Sequence, residues 1–192
     1  MVEAVEVDGE FTVEKTGEAG TISTTKSEAA FTNTRTTGEL EISKALVSDA
    51  TADADREFTF TIELSDKSIS KTYGDMAFAG GVATVTLKGG ESATATGLPT
   101  GISYAVTEEA ADGFTVTKTG DAGTISTTRS LASFTNTRET GDLELSKALV
   151  SDAAADADQQ FTCTVTLDGL TGEAKNKTYS GVAFTEDRKS VV

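Results

Sequence analysis

Apolar and polar residues alternate along most of the chain, as they do in β-strands, and no segment keeps a helical period. The clearest alternation runs over Glu57–Leu64, where Phe58, Phe60, Ile62 and Leu64 share one face. Gly-rich and Asp-rich turns separate such segments at intervals of about 8–12 residues, which is typical of a β-sandwich. The pattern therefore predicts an all-β fold built from antiparallel β-sandwich domains.

The predicted strands are short and fall into three groups. A central group covers residues 40–47, 57–64, 71–78, 82–87, 92–96, 102–108, 114–118 and 132–137. Two strands precede it, at residues 11–15 and 30–34, and two follow it, at residues 143–150 and 160–167. The flanking strands are similar in sequence to members of the central group, which indicates an internal repeat.

Two long segments of the chain are nearly identical. Residues 30–46, AFTNTRTTGELEISKAL, return as residues 133–149, SFTNTRETGDLELSKAL. Asn33 recurs as Asn136 and Lys44 as Lys147, and both differences are 103 residues (136 − 33 and 147 − 44). A fixed period of this length indicates a tandem array of domains of normal size. The predicted units are the C-terminal part of a first repeat, a complete repeat and the N-terminal part of a third, at residues 1–37, 38–140 and 141–192.

The charge and the composition narrow the classes of partner. The net charge is −15 and the sequence pI is about 4.3, so nucleic acids and anionic membranes are not expected as partners. The chain has no histidine, which removes the commonest general base and the commonest metal ligand. We therefore predict no metal, no cofactor and no Ser–His catalytic pair.

Signals that would direct or anchor the chain are weak. No run of about 18 apolar residues predicts membrane insertion, and the acidic first residues, MVEAVEVDGE, do not resemble a signal peptide. The motif Leu98-Pro99-Thr100-Gly101 resembles a sorting signal but lacks the variable residue between Pro and Thr, and no apolar tail follows it. We interpret it as a turn between strands. Cys163 is the single cysteine, so no intrachain disulfide is expected.

An acidic loop follows the first predicted strand of the complete repeat. It contains Asp49, Asp53, Asp55 and Glu57 and recurs as Asp152, Asp156 and Asp158. Clustered carboxylates can hold Ca²⁺, but the spacing lacks the glycine and the terminal glutamate of a known calcium loop. We interpret the segment as a solvated acidic loop, with calcium binding as the alternative.

Three polar residues are in phase with the apolar face of their strands: Lys44, Glu108 and Asn136. An isolated buried charge is expensive, so such groups usually pair or become neutral. Taken singly, Lys44 could extend to water from a strand end and Glu108 could begin a loop. The trio and its recurrence favour a shared site, because Asn33 and Lys147 repeat two of the three positions in the partial repeats. Glu3 is the candidate for the third, although its spacing to the next Asp-Gly differs by one residue from that of Glu108.

These residues resemble a known family. A lysine in the first strand, the box Tyr104-Ala-Val-Thr-Glu108 and a final strand containing Phe134-Thr-Asn136-Thr are similar to Cna B-type and streptococcal pilin-type isopeptide domains of Gram-positive surface proteins. The resemblance implies an immunoglobulin-like sandwich in which the Lys44 amine attacks the Asn136 side-chain amide and releases ammonia. It also implies that Glu108 assists the proton transfers.

The sequence departs from the family pattern beside the box. The proline usually found between the box glutamate and the following glycine is missing, and the spacing from Glu108 to Gly113 is one residue shorter than is common. The choice between Glu108 and Glu109 is therefore open, and the phase of the strand favours Glu108.

The resemblance implies a structural stalk or spacer in a bacterial adhesin or pilin. It places the protein outside the cell, attached to the Gram-positive cell wall, with its signal and anchor outside this segment and neighbouring repeats as its partners. The crosslinking would occur once per domain, so no turnover enzyme is expected. The alternative is an adhesin module that binds a host surface ligand, but near-identity of the repeated segments favours the spacer. The partial repeats could be disordered ends, or the start of one molecule could complement the tail of the next and bring Asn33 near Lys147.

Overall fold

The structure is a computed structural model that describes residues 10–17, 19–169, 178–179, 182–183 and 189–191. Its strands are β1 (Phe11–Thr16), β2 (Ala30–Arg35), β3 (Thr37–Val47), β4 (Glu57–Leu64), β5 (Thr72–Tyr73), β6 (Met76–Ala77), β7 (Val82–Lys88), β8 (Ser92–Pro99), β9 (Ser103–Glu108), β10 (Phe114–Thr119), β11 (Ala122–Thr124), β12 (Ser130–Arg138), β13 (Thr164–Thr166), β14 (Thr178–Tyr179), β15 (Val182–Ala183) and β16 (Lys189–Val191). Short 3₁₀-helices cover Thr51–Asp53 and Ala154–Asp156. Within the described ranges, no helix has the length and apolar character needed to cross a membrane.

Two four-stranded sheets form the complete repeat. Their strand orders are β10-β12-β3-β8 and β11-β9-β4-β7. The apolar core lies between them and takes Ile42 from β3, Val106 from β9, and Phe60 and Phe134, whose rings meet edge to face at 5.1 Å between centroids. The all-β prediction is confirmed, and the alternating residues of Glu57–Leu64 are buried on the face that the sequence indicated.

One strand pair in the sandwich is parallel. Strands β3 and β12, the first and last of the complete repeat, lie side by side with Lys44 opposite Phe134, whereas every other described strand pair is antiparallel. Because the two strands run in the same direction, the start of β3 and the end of β12 lie at opposite ends of the sheet. We call these the upper end, at Thr37, and the lower end, at Arg138.

The partial repeats differ from each other. Strands β1 and β2 pair in the register of β10 and β12, with Val13 opposite Asn33 as Val116 is opposite Asn136. The strand predicted over residues 143–150 is absent, and the strand predicted over residues 160–167 is reduced to Thr164–Thr166. The first prediction is wrong and the second is confirmed only over Thr164–Thr166, because alternation alone does not make a strand. β3 is flanked by β8 and β12, whereas residues 141–163 pair with no strand in the described part of the chain.

Candidate crosslinking site

The backbone of Lys44 is held at both of its polar groups. Its N–H donates to the Glu91 carbonyl at 2.9 Å, and its carbonyl accepts from the Gly90 N–H at 2.8 Å. The turn between β7 and β8, which contains Gly89, comes close to β3, since a Cβ at Gly89 would lie 2.6 Å from the Leu46 Cβ. The side chain of Lys44 therefore leaves a fixed point in the sheet and extends into the sandwich.

The three side chains singled out in the sequence meet in the interior. The Lys44 Nζ donates to Glu108 Oε1 at 3.0 Å, and the Asn136 Nδ2 donates to the same oxygen at 2.8 Å. The Lys44 side chain is 0% exposed, that of Glu108 is 4% exposed, and Asn136 is 0% exposed. Lys44 and Asn136 come from adjacent strands of one sheet, while Glu108 ends a strand of the other. One carboxylate oxygen thus bridges the amine and the amide across the sandwich.

An aromatic ring forms a wall of the site. The Lys44 Nζ lies 4.0 Å from the centroid of the Phe58 ring. The alternation over Glu57–Leu64 predicts Phe58 on the apolar face but does not predict this contact. The sequence carried a signal for it, because Lys44 and Phe58 recur together as Lys147 and Phe161, each 103 positions later (147 − 44 and 161 − 58). The recurring pair is also in contact, with the Lys147 Nζ 4.2 Å from the centroid of the Phe161 ring.

Burial changes the acid–base behaviour of the amine. The pKa of Lys44 is held below its usual range chiefly by its removal from water, and the hydrogen bond and charge of Glu108 oppose that shift. A lowered pKa raises the fraction of the neutral amine, which is the nucleophilic form. The site therefore favours the form of Lys44 that can attack a carbonyl carbon.

Two buried polar atoms in the site lack partners. Neither Glu108 Oε2 nor Asn136 Oδ1 has a hydrogen bond to any described group. A buried polar atom left unsatisfied costs about 1–3 kcal/mol, and such atoms are uncommon in folded proteins. Both belong to groups that would exchange protons or gain charge during attack on the amide.

The remaining predicted residues lie elsewhere. Glu109 is exposed and its backbone N–H donates to the Thr59 carbonyl at 2.8 Å, so Glu108 is the glutamate that enters the site. Asn33 and Lys147 are both exposed. Glu3 lies outside the described residues.

The acidic loop is not fully solvated, and that prediction is wrong at Asp53. Asp53 is 2% exposed, accepts a hydrogen bond from the Ser48 hydroxyl at 2.5 Å and lies 3.4 Å from the Arg138 Nε. The carboxylate therefore fastens the loop to the end of β12. Among the described residues, no group of three or more His, Cys, Asp or Glu side chains is placed to hold a metal ion.

The fold and the site define an all-β repeat domain with a lysine, a glutamate and an asparagine in contact in its core. The chain belongs to the family described as "Domain of unknown function (DUF7601)", whose model matches residues 38–138. It is also similar to the pilus tip adhesin Cpa of Streptococcus pyogenes, with 42% identity over 91 residues. This similarity confirms the resemblance to streptococcal pilin-type domains, and the Cna B-type assignment remains a prediction.

The matched part is a small portion of that adhesin. The alignment covers 44% of this chain and 13% of the adhesin's length. Among solved structures, the pilus-presented adhesin Cpa matches 54% of this chain and 28% of its own, at 32% identity and a TM-score of 0.47. The major pilin T-13 of Streptococcus pyogenes matches 57% of this chain and 48% of its own, at 24% identity and a TM-score of 0.43.

Proposed function

We propose that this chain is a stalk or spacer segment of a bacterial surface adhesin or pilus, and that its complete repeat forms an isopeptide bond between Lys44 and Asn136. The observation that carries the proposal is the buried Glu108 Oε1, which accepts hydrogen bonds from both prospective partners. The similarity to a pilus tip adhesin supports display on the outside of a Gram-positive cell.

The first step of the proposed reaction is a proton transfer. A Lys44 ammonium gives a proton to the Glu108 carboxylate over the 3.0 Å hydrogen bond, which leaves a neutral amine and a neutral carboxyl group. In a dry interior the neutral pair avoids the cost of two desolvated charges. The transfer therefore creates the nucleophile without a histidine or a metal.

The second step exchanges one amide for another. The Lys44 Nζ attacks the Asn136 Cγ, a C–N bond forms, and the bond from Cγ to Nδ2 breaks. In this step the neutral amine loses one proton, which passes through Glu108 to Nδ2. Nδ2 then leaves as ammonia, and Glu108 remains the neutral carboxyl group that the first step produced. Because the groups are held in contact, the reaction is intramolecular and needs no activated reagent. It occurs once per domain, so the chain processes itself and does not turn over a substrate.

The parallel pairing explains what the bond would do under load. Tension between successive repeats pulls β3 from the upper end and β12 from the lower end, which shears the two strands along their shared length. A covalent bond between Lys44 and Asn136 would carry this load directly from strand to strand. The rest of the sandwich, including β4 and β9, would then bear little of it.

Intact mass under denaturing conditions tests the proposal. The wild-type chain is expected to be lighter than its sequence mass by one ammonia, because the complete repeat has reacted. Lys44→Ala is expected to restore the full mass, whereas the matched control Lys147→Ala alters the equivalent exposed lysine and should keep the deficit. A wild-type chain at its full sequence mass would overturn the proposal.

A further inference from the structure

A single residue connects the first partial repeat to the complete one, and its polar groups are tied to the flanking units. Strand β2 ends at Arg35 and β3 begins at Thr37. The Thr36 N–H donates to the Glu10 carbonyl at 2.8 Å, and the Thr36 carbonyl accepts from the Thr100 N–H at 3.1 Å. The two threonine hydroxyls lie 2.6 Å apart. This connection is part of the folded structure and leaves no free linker between the units.

An arginine of the first unit reaches the same turn of the complete repeat. Arg35 donates from its guanidinium to the Thr100 carbonyl at 2.6 Å and forms an ion pair with Glu10 at 2.9 Å. It also lies over the Phe11 ring at 5.1 Å. The Glu10 carboxylate fits directly against Gly101, where an added Cβ would lie 2.1 Å from Oε1. The turn predicted at Leu98 to Gly101 is therefore the surface that receives the preceding repeat.

A second contact occurs at the lower end, with the unit that follows. The Thr51 N–H and hydroxyl both donate to the Gly169 carbonyl, at 2.6 and 2.9 Å. The Tyr179 hydroxyl donates to the Asp49 carboxylate at 3.1 Å. The acidic loop of the complete repeat thus receives the third unit, although the two are separated by more than a hundred positions in sequence.

The two junctions show adjoining parts of one arrangement when they are related by the repeat. Gly169 is the counterpart of Asp66 (169 − 66 = 103), so the turn that meets the acidic loop at the lower junction corresponds to residues 65–66 of the complete repeat. The pKa of Asp66 lies below its usual range, first through hydrogen bonds from Ser68 and to a lesser degree through the charge of Arg35. The Ser103 N–H donates to the Ser65 hydroxyl at 3.1 Å, which joins this turn to the one at Thr100 and Gly101.

We propose that successive repeats dock through one recurring interface. Its upper surface consists of two joined turns, at residues 65–66 and 100–101, and its lower surface consists of the acidic loop at residues 48–53 and the terminal arginine, Arg35 or Arg138. The junction between the first and the complete repeat shows the contact of the arginine, and the junction with the third repeat shows the contact of the acidic loop. The 103-residue period places both contacts on equivalent surfaces of one repeat.

Contacts within its own unit already hold the side chain of the terminal arginine in place. Arg138 lies over Phe114 at 4.9 Å and beside Asp53 at 3.4 Å, just as Arg35 lies over Phe11. A stacked guanidinium loses less freedom when it binds a carbonyl than a free side chain would. The docking is separate from the crosslink, which lies inside the sandwich. It would make an array of repeats a stiff rod and not a flexible string.

Distances between spin labels on the full chain test the docking. One label replaces exposed Glu14 on β1 and the other replaces exposed Thr86 on β7, with Cys163→Ser to remove the native thiol. A docked pair of units gives a single narrow distance distribution. Arg35→Ala removes the bond to the turn and is expected to broaden the distribution. Arg129→Ala, which breaks the ion pair of exposed Arg129 with half-buried Glu41 within the complete repeat, should leave it narrow.

Two glycines offer a second, matched comparison. Gly101 and Gly97 have similar backbone angles, φ +82° and +80°, but a Cβ at Gly97 meets nothing within 4 Å. Both substitutions to alanine carry the same backbone penalty, and only Gly101→Ala displaces Glu10. Broadening in Gly101→Ala but not in Gly97→Ala supports the interface. A broad wild-type distribution, or one that Arg35→Ala leaves unchanged, overturns it whatever the intact mass shows about the crosslink.

Discussion

The complete repeat and the third, partial repeat contain nearly the same residues in different surroundings. Lys44 has a fully buried side chain, whereas its counterpart Lys147 is exposed. Ile42 is 0% exposed and its counterpart Leu145 is 50% exposed. The difference shows that the apolar pattern specifies which residues can be buried, while neighbouring strands decide whether they are.

The comparison also separates local contacts from distant ones. Each lysine lies over the phenylalanine fourteen positions later, Phe58 or Phe161 (58 − 44 and 161 − 147), so this contact forms without the rest of the sandwich. The contact with Glu108 requires a strand from the opposite sheet. The local pair positions the amine, and only the assembled sandwich can remove it from water and supply the carboxylate.

The largest expected effect is loss of the proposed covalent bond when the carboxylate is removed. Glu108→Gln keeps the shape of the side chain but cannot accept the lysine proton, so the intact mass should return to the full sequence mass. Glu109→Gln changes an exposed neighbour and should keep the ammonia deficit. A deficit that survives Glu108→Gln would contradict the proposed role of Glu108.

Replacing the two equivalent lysines should change stability very differently. Lys44→Met removes the bond that would close a loop of 136 − 44 = 92 residues, and we expect a loss of roughly 4–5 kcal/mol in the unfolding free energy of the complete repeat. Lys147→Met alters an exposed side chain and should change it by less than about 0.5 kcal/mol. Denaturant unfolding measures both, and equal effects would contradict the difference in burial and bonding.

Apolar substitutions at equivalent positions of the two repeats should also change the unfolding free energy by different amounts, although they alter no residue of the crosslinking site. Ile42→Ala removes a fully buried side chain from β3 and should cost about 2–5 kcal/mol. Leu145→Ala alters the equivalent half-exposed position and should cost less than about 0.5 kcal/mol. Both changes leave Lys44, Glu108 and Asn136 intact, so the intact mass serves as a check on whether the proposed reaction is unaffected.

Much of the fold and the site could be predicted from the sequence because strand alternation assigns each residue to a face. The phase of β3, β9 and β12 placed Lys44, Glu108 and Asn136 inside the sandwich, and the structure brings them together. The parallel pairing of β3 with β12 could not be predicted this way, because alternation contains no information about neighbours.

The errors have the same origin. Residues 143–150 alternate as well as residues 40–47 do, yet they form no strand in the structure because no described segment pairs with them. Asp53 carries a charge and was assigned to solvent, but Ser48 and Arg138 satisfy it in a buried position. The arginine lies 85 residues away (138 − 53), so only the folded chain reveals the pair.

The smallest effect concerns pH and requires a chain that cannot react. Asn136→Ala removes the electrophile and leaves a free Lys44, whose pKa in the folded state lies below its unfolded value of about 10.4. Between those two pKa values the unfolded chain binds more protons than the folded chain, so the unfolding free energy should rise with pH, by at most about 1.4 kcal/mol per pH unit. The rise ends once the pH exceeds the unfolded pKa. Adding Lys44→Met should remove the part of the slope that lies just below the unfolded lysine pKa, and identical slopes there in the two variants would show that burial does not hold the lysine pKa down.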